Sequence, residues 1–356
     1  MKYKQLADIL RREIKSGAIA QGSRLPTEKE LSAKYAMSRQ TVRHALQVLT
    51  EEGLIQRRQG SGSYPTPQSA APQSTQVAVV VTFLDDYIFP RVLHDAQSVL
   101  SQQGYSTAVY VTDNRVGTER EILQRLLEEP PAGLLVEGTK TALPNPNLDL
   151  YQQFRKMGIP IVFFHSSYPG LAGAPCVADD NFGGGYAMAQ HLIAQGHRRI
   201  GGLFKSDDIQ GPQRYQGVTC ALRDAGLPIL DTAFCWYDTE ARLFMIQNRE
   251  SELLRLFINQ RFTDVTAVVC YNDEIAHLLI ANLLALGRRV PEDLAVAGFD
   301  NSYYSQIGPV RITSMRHKDH KTGGLAAQEL LRLMQGGTGH PQVLGWELVV
   351  RDSSVK

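Results

Sequence analysis

The spacing of apolar and polar residues changes character along the chain. At the front the apolar positions recur at helical intervals: Leu6, Ile9, Leu10 and Ile14 form one stripe, and Val42, Ala45, Leu46 and Leu49 another. Thr27 stands three residues before Glu30 in "PTEKELSAKYA", the spacing of a capping box, and predicts a helix start. Ser38 is placed to cap a third helix, entered through the short turn Tyr35–Ser38 with Met37 plugging inward. After Leu54 the stretch "IQRRQGSGSY" predicts a pair of short strands around a glycine-rich turn. The following "PTPQSAAPQSTQ" (65–76) has three prolines, three glutamines and no apolar period, so it reads as a flexible linker. Beyond it, apolar runs at 77–83, 106–112, 133–137, 160–164, 199–204, 267–271 and 294–299 alternate with amphipathic helical stretches. Continuous apolar strands separated by helices predict parallel sheets covered on both faces. The expected fold class is therefore α/β, with a small helical front. The domain limits read 1–64, a linker at 65–76, and a body at 77–356.

Charge sharpens this division. Residues 1–64 hold 12 Lys and Arg against 6 Asp and Glu, a net of +6, whereas the other 292 residues carry 25 against 30. A basic front on a mildly acidic body suits a polyanionic partner for the front alone. No apolar run reaches membrane-spanning length and no basic-then-apolar leader opens the sequence, so a cytoplasmic protein without a membrane partner is expected. Cys176, Cys220, Cys235 and Cys270 are scattered, which favours free thiols over disulfides or zinc. The pair His317 and His320 around Asp319 lacks a clear further metal ligand, so no metal and no cofactor is expected.

The helix beginning at Ser38 carries Arg39, Gln40, Arg43, His44 and Gln47 opposite its apolar side. Side chains that can bond base edges or phosphates thus gather at the end that enters the major groove in helix-turn-helix proteins. The segment "SRLPTEKELSAKYAMSRQTVRHALQVLTEEGLIQRRQGSGSY" resembles the winged helix-turn-helix of GntR-type bacterial repressors, departing at Ser63, where that family usually has Thr. The resemblance implies operator contacts from Lys29, Ser38, Arg39, Gln40, Thr41 and Arg43. It also implies minor-groove contacts from Gln59 and Gly60 in the wing. Ser38 serves equally as a helix cap, Thr41 as first-turn packing, and Gly60 and Gly62 as turn residues.

The body resembles the sugar-sensing domain of LacI/GalR repressors, itself similar to periplasmic sugar-binding proteins, through "DDNFGGGYAMAQHLIAQGHRRIG", "QRYQGVTCAL", "AVVCYNDEIAHLLIANLLALGRRVPEDLAVAGFDNS" and "RITSM". Such a domain has two lobes, a ligand between them and three crossing segments. A GntR-type front on a LacI-type body resembles the arabinose-responsive repressors of Gram-positive bacteria. It implies a homodimer on operator DNA and a sugar effector, L-arabinose. Carried over by position, the implied effector contacts are Glu137, His165, Arg214, Trp236, Asn272 and Asp300. Tyr87, Lys140, Lys205 and Gln210 follow from the closer resemblance and from their places just past strand ends, where α/β sheets bind ligands. Arg214 and Asp300 would each hold adjacent hydroxyls or pair with one another. Tyr237 is an alternative to its neighbour Trp236.

No nucleophile elbow, kinase set or dinucleotide fingerprint is present, so an enzyme is disfavoured. The competing readings are a regulator of another small molecule (a different pentose, a hexose or a nucleoside) and a cytoplasmic sugar-binding protein without a regulatory role.

Overall fold

The computed structural model describes residues 2–15, 19, 23–51, 54–58, 62–65, 74–84, 89–171, 173–248, 251–317 and 322–355. The chain divides into two compact units, Met1–Ser74 and Thr75–Lys356.

The first unit contains α1 (Lys2–Lys15), α2 (Glu28–Lys34), α3 (Arg39–Glu51), β1 (Ile55–Arg58) and β2 (Gly62–Pro65). The capping box forms as the spacing predicts: the Glu30 amide donates to Thr27 Oγ1 at 3.3 Å and the Thr27 amide to Glu30 Oε2 at 2.6 Å. Ser38 caps α3 by accepting from the Thr41 amide at 3.2 Å. Leu6, Leu10, Leu31, Val42, Ala45, Leu46 and Leu49 are buried together with Leu25 and Ile55, which ties the strands to the helices. The strands pair antiparallel from Ile55↔Pro65 to Arg58↔Gly62. Gly62 has φ of +113°, a conformation L side chains rarely adopt, so its role is turn geometry. The wing tip carrying Gln59 and Gly60 lies outside the described residues. So do positions 66–73 of the expected linker, whose flanking Pro65 and Gln76 belong to strands.

The second unit is built in two lobes. In chain order, lobe 1 comprises β3 (Gln76–Val81), α4 (Phe89–Gln102), β4 (Ser106–Val111), α5 (Val116–Glu128), β5 (Gly133–Val136), α6 (Leu148–Lys156), β6 (Ile161–His165) and β7 (Cys176–Asp179). The chain then builds lobe 2 from α7 (Asn181–Ala194), β8 (Ile200–Lys205), α8 (Gln210–Asp224), β9 (Phe234–Tyr237), α9 (Thr239–Gln247), α10 (Glu252–Gln260), β10 (Ala267–Cys270), α11 (Asp273–Ala285), β11 (Ala295–Phe299) and β12 (Thr313–His317). It returns to lobe 1 for α12 (Thr322–Met334) and β13 (Gln342–Leu344), and ends in lobe 2 with β14 (Trp346–Val349).

Among the described residues the sheet orders are β13-β7-β6-β5-β3-β4 and β14-β12-β11-β10-β8-β9. All neighbours are parallel except β12 and β14. Each sheet is covered on both faces, which explains why its central strands read as unbroken apolar runs. The strands that the apolar pattern did not announce, β7, β9, β12, β13 and β14, contain polar or exposed positions near the sheet edges.

The order reverses between β3 and β5 in lobe 1 and between β8 and β10 in lobe 2. Those switch points open a crevice at the carboxyl ends of the strands. The chain crosses between lobes at Asp179–Asn181, between His317 and Thr322, and at Leu344–Trp346, all beside β7, β12, β13 and β14 at one edge of the two sheets.

The glycines before and within α7 and α8 serve close packing. A Cβ at Gly184 would lie 2.7 Å from Trp346, and one at Gly185 would lie 2.2 Å from the Arg214 carbonyl oxygen. Gly217 is the tightest test of the α7–α8 contact, since its Cβ would sit 2.1 Å from the Phe182 carbonyl oxygen and 2.6 Å from the Tyr186 nitrogen. Neither backbone atom can rotate away. Gly217→Ala is therefore expected to destabilise lobe 2 by about 1–3 kcal/mol, read as a lower Tm in thermal unfolding.

Candidate functional site

On the first unit, α3 presents Arg39, Gln40, Arg43, His44 and Gln47 to solvent, with Lys29 exposed on α2. Thr41 is half-buried and its hydroxyl meets that of Ser38 at 2.8 Å. Arg43 is braced to α2: its Nε and Nη2 donate to the two Glu28 carboxylate oxygens at 3.3 and 3.1 Å. His44 stacks on Tyr3 of α1, with ring centroids 4.0 Å apart. Arg39 and Gln40 thus stand at the open end of a helix fixed on both flanks.

In the second unit a cavity of about 720 Å³, counting its open mouth, lies at the crevice between the lobes. The first lobe lines it with Thr82, Phe83, Phe89, Glu137, His165 and Asp179. The second contributes Lys205, Asp208, Gln210, Arg214, Arg242, Tyr271, Asn272, Asp300 and His317.

Arg214 is the best-held group. Its Nε donates to Asn181 Oδ1 at 2.9 Å, Nη1 donates to the Tyr271 carbonyl, and Nη2 lies 3.8 Å from Asp300 Oδ1. Its guanidinium stands over the rings of Phe299 at 4.3 Å, Tyr271 at 4.9 Å and Trp346 at 5.4 Å. Asp300 in turn lies 3.9 Å from His317 Nε2, and His317 Nδ1 meets Asp179 at 2.9 Å. Burial opposes the Asp179 charge, but His317, His165 and Arg214 outweigh it and hold its carboxyl below the usual range. Basic and acidic side chains therefore alternate along the back of the cleft.

Two cleft residues occupy equivalent fourth strands of their lobes in a left-handed conformation: His165 at the end of β6 (φ +60°) and Asp300 just after β11 (φ +93°). Such backbone costs about 1–3 kcal/mol per residue and is held only where surrounding structure imposes it. Glu137 accepts from the Thr82 amide at 2.8 Å and its hydroxyl at 2.5 Å, and its other oxygen meets His165 Nδ1 at 3.3 Å. Lys205, only 3% exposed, lies between Asp208 at 2.5 Å and Asp207 at 3.0 Å. One buried ammonium cannot serve two carboxylates equally. Asp207 is held below its usual value, whereas burial and the Asp207 charge push Asp208 up. Asn272 caps α11 through its side-chain oxygen, 3.0 Å from the Ile275 amide, and Gln210 accepts from the Tyr271 hydroxyl at 2.9 Å.

Of the residues expected at this site, Glu137, His165, Lys205, Gln210, Arg214, Asn272 and Asp300 line one cavity. Tyr87 lies outside the described residues. Trp236 and Lys140 are not among the residues lining that cavity. Trp236 is 39% exposed and packs on Phe204 and Tyr215, on a face of β9, the outer strand beyond β8. Its alternative Tyr237 is buried beside Tyr271 behind the cavity. Lys140 lies outside the lining and faces Asp207 across the lobes at 3.7 Å.

Arg242 was missed. It is bonded to Glu274 at 2.8 Å and stands 5.1 Å over the Phe83 ring of the other lobe. Its place one turn into α9, after the β9 strand, carries no composition signal. Asp179, Asp208 and Tyr271 were missed too, although each stands at or near a strand end. His317 Nδ1 and the other described His, Cys, Asp and Glu residues form no group fit to hold a metal.

The His165–Glu137 contact has a pH consequence. Burial disfavours the charged ring, but the Glu137 hydrogen bond and charge, with Asp179 and Asp300, outweigh it and raise its pKa above 6.5. A raised folded-state value gives stability that is complete below the unfolded pKa and lost as pH climbs through the folded one. His165→Asn should accordingly cost about 1.5–3 kcal/mol below pH 6.5. That difference in unfolding free energy from the wild type should narrow on the alkaline side.

Comparison with known proteins places this geometry. Residues 2–64 match the bacterial regulatory proteins of the gntR family, and residues 189–354 match a periplasmic binding protein-like domain. The chain is 35% identical over 338 residues to an arabinose metabolism transcriptional repressor of Geobacillus stearothermophilus, covering 94% of this chain and 91% of that one. It is 33% identical over 340 residues to the protein of the same name from Halalkalibacterium halodurans, covering 94% and 89%. Among solved structures, the transcription regulator GntR from Chromobacterium violaceum superposes with a TM-score of 0.68 at 26% identity, over 78% of this chain and 99% of that one. Among the described residues no helix is long and apolar enough to cross a membrane. The chain belongs to the family of arabinose metabolism transcriptional repressors, regulators rather than enzymes, with a GntR-type winged helix-turn-helix ahead of a periplasmic-binding-protein-like body.

Proposed function

We propose that this repressor binds operator DNA as a cytoplasmic homodimer and leaves it when L-arabinose fills the cleft. Residues 1–64 contact the operator, 65–76 connect, and 77–356 bind the sugar and dimerise. Arg39 and Gln40 read base edges, and Arg43, released in part from Glu28, joins Lys29 on phosphates. Ser38 and Thr41 add hydroxyl contacts while keeping the helix start formed, and Gln59 and Gly60 enter the minor groove.

The observation that carries the effector reading is the charge balance of the cleft. Lys205, Arg214 and Arg242 face Glu137, Asp179, Asp208 and Asp300 inside it, with Glu274 already on Arg242. A phosphorylated or carboxylated sugar would meet an excess of carboxylates, whereas a neutral polyol can bond to both signs at once. Phe83, Phe89 and Tyr271 offer ring surface to the apolar face of a pyranose. Arg214 and Asp300 are suited to pairs of adjacent hydroxyls. His165, Glu137, Lys205, Gln210 and Asn272 supply the remaining polar contacts, and Lys140 and Trp236 are left outside the sugar site.

The sugar closes the lobes, and operator affinity falls by the difference in its affinity for the two states. The test is fluorescence anisotropy on the protein's own upstream DNA at fixed salt, with L-arabinose, D-xylose, D-ribose, D-galactose and D-gluconate titrated in. Release by L-arabinose alone is expected. Release by gluconate, or by none of the panel, would overturn the arabinose assignment.

Arg39→Ala should weaken operator binding about 10- to 100-fold while calorimetry gives an unchanged arabinose affinity. Arg214→Gln should do the reverse, lowering arabinose affinity by about 30-fold or more with operator binding retained. A normal sugar response in the Arg214 variant would remove that residue from the site.

A further inference from the structure

The lobes also meet outside the cavity. Asn114, fully buried after β4 with φ of +53°, donates from Nδ2 to Thr239 Oγ1 of lobe 2 at 2.6 Å and approaches Asp208 at 3.5 Å. The Ile209 amide of lobe 2 donates to Thr141 Oγ1 of lobe 1 at 3.1 Å, and the Ala142 amide donates to the Asp207 carbonyl at 3.2 Å. Lys140 faces the Asp207 carboxylate at 3.7 Å.

Each side of this seam is stiffened from within. Asn114 Oδ1 accepts from the Lys140 amide at 2.8 Å, and Asp207 Oδ2 accepts from the Thr239 amide at 3.0 Å and its hydroxyl at 2.6 Å. Thr141 and Thr239 are only 2% and 1% exposed, so the centre of this contact is buried. It follows β4, β5, β8 and β9, the opposite side of both sheets from β13, β7, β14 and β12, where the chain crosses between lobes. A hinge at one edge and a polar seam at the other is the geometry of a clasp. Asn114, Lys140, Thr141, Asp207 and Thr239 do not line the cavity.

We propose that this seam is a latch, with Asn114 a positioning residue that sets how much of the effector domain is closed without touching the sugar. The proposal rests on the reading of the cleft as the sugar site. Apparent affinity is the intrinsic affinity scaled by the fraction of molecules in the competent state. The latch therefore tunes the sugar concentration at which the operator is released. Asn suits the position because its short side chain tolerates the left-handed backbone while both ends of its amide find partners across and along the seam.

The test is hydrogen exchange with mass spectrometry on the full-length protein, with and without L-arabinose, beside stopped-flow sugar kinetics. The informative amides are those of Ala142 and Ile209, which cross the seam in bonds that Asn114 does not make. In Asn114→Ala these should exchange about tenfold faster, while amides of β5 and β8 keep wild-type protection. L-Arabinose should dissociate faster by a similar factor, and its operator-release midpoint should move to higher sugar by the same ratio. Thr141→Val, a milder change on the same seam, should shift the Ala142 amide and the dissociation rate in the same direction. Wild-type exchange at the seam in both variants, or a sugar affinity unchanged in both, overturns the latch. If the seam opens in the variants but the wild type does not bind L-arabinose, the effector reading falls and the clasp itself stands.

Discussion

A guanidinium taken out of water must be met by partners, and the cleft is organised around the partners of Arg214. Desolvating such a charge costs several kcal/mol unless geometry and hydrogen bonds offset it. Here Asn181 at the first crossing segment, the Tyr271 carbonyl after β10 and Asp300 after β11 converge on it, with Phe299 and Trp346 against its face. Trp346 begins β14 beyond the third crossing, and His317 ends β12 before the second. One residue on α8 thereby meets the first and third places where the chain passes between lobes, and the second lies beyond Asp300 and His317. Gly185 is bare because the Arg214 backbone occupies the space a side chain would need.

From that anchor acidic and basic side chains alternate across the lobes through Asp300, His317 and Asp179, with His165 and Glu137 completing the lobe 1 wall. Such a network is stable only while every member is met. A neutral polyol can insert among these groups because each hydroxyl both donates and accepts. The hinge side is thus electrostatic and aromatic, while the far side closes on hydrogen bonds of Asn114, Thr141 and Thr239, with Lys140 facing the Asp207 carboxylate beside them. The two edges act on one motion from opposite ends: the back wall decides what binds and the seam decides how readily the cleft shuts.

Much of this was legible from residue order. The apolar runs gave the central strands of both sheets, since a strand buried on both faces has little choice of side chain. The LacI/GalR resemblance implied Glu137, His165, Arg214, Asn272 and Asp300, and four of them stand at or just past strand ends, where parallel sheets expose ligand groups, while Arg214 lies within α8. Trp236, carried over from the same resemblance, packs on Phe204 and Tyr215 and is not among the cavity-lining residues. Lys140 sits past the right strand and yet serves the seam. Arg242 escaped notice because its strand-end neighbourhood is shared by many exposed arginines, and only the opposing Phe83 distinguishes it.

With the winged helix and the two lobes implied by family resemblance, the sequence by itself determined a basic helical front, an α/β body of parallel sheets and the types of side chain available to a cleft. Those features follow from local periodicity, capping and charge, which act over a few residues. Tertiary structure alone decided which of the strand-end residues face one another, that Arg43 is braced by Glu28, and that Asn114 reaches Thr239 across 125 positions of chain. Such pairings depend on strand order and lobe closure. They join residues far apart in the chain, and no short-range pattern encodes them.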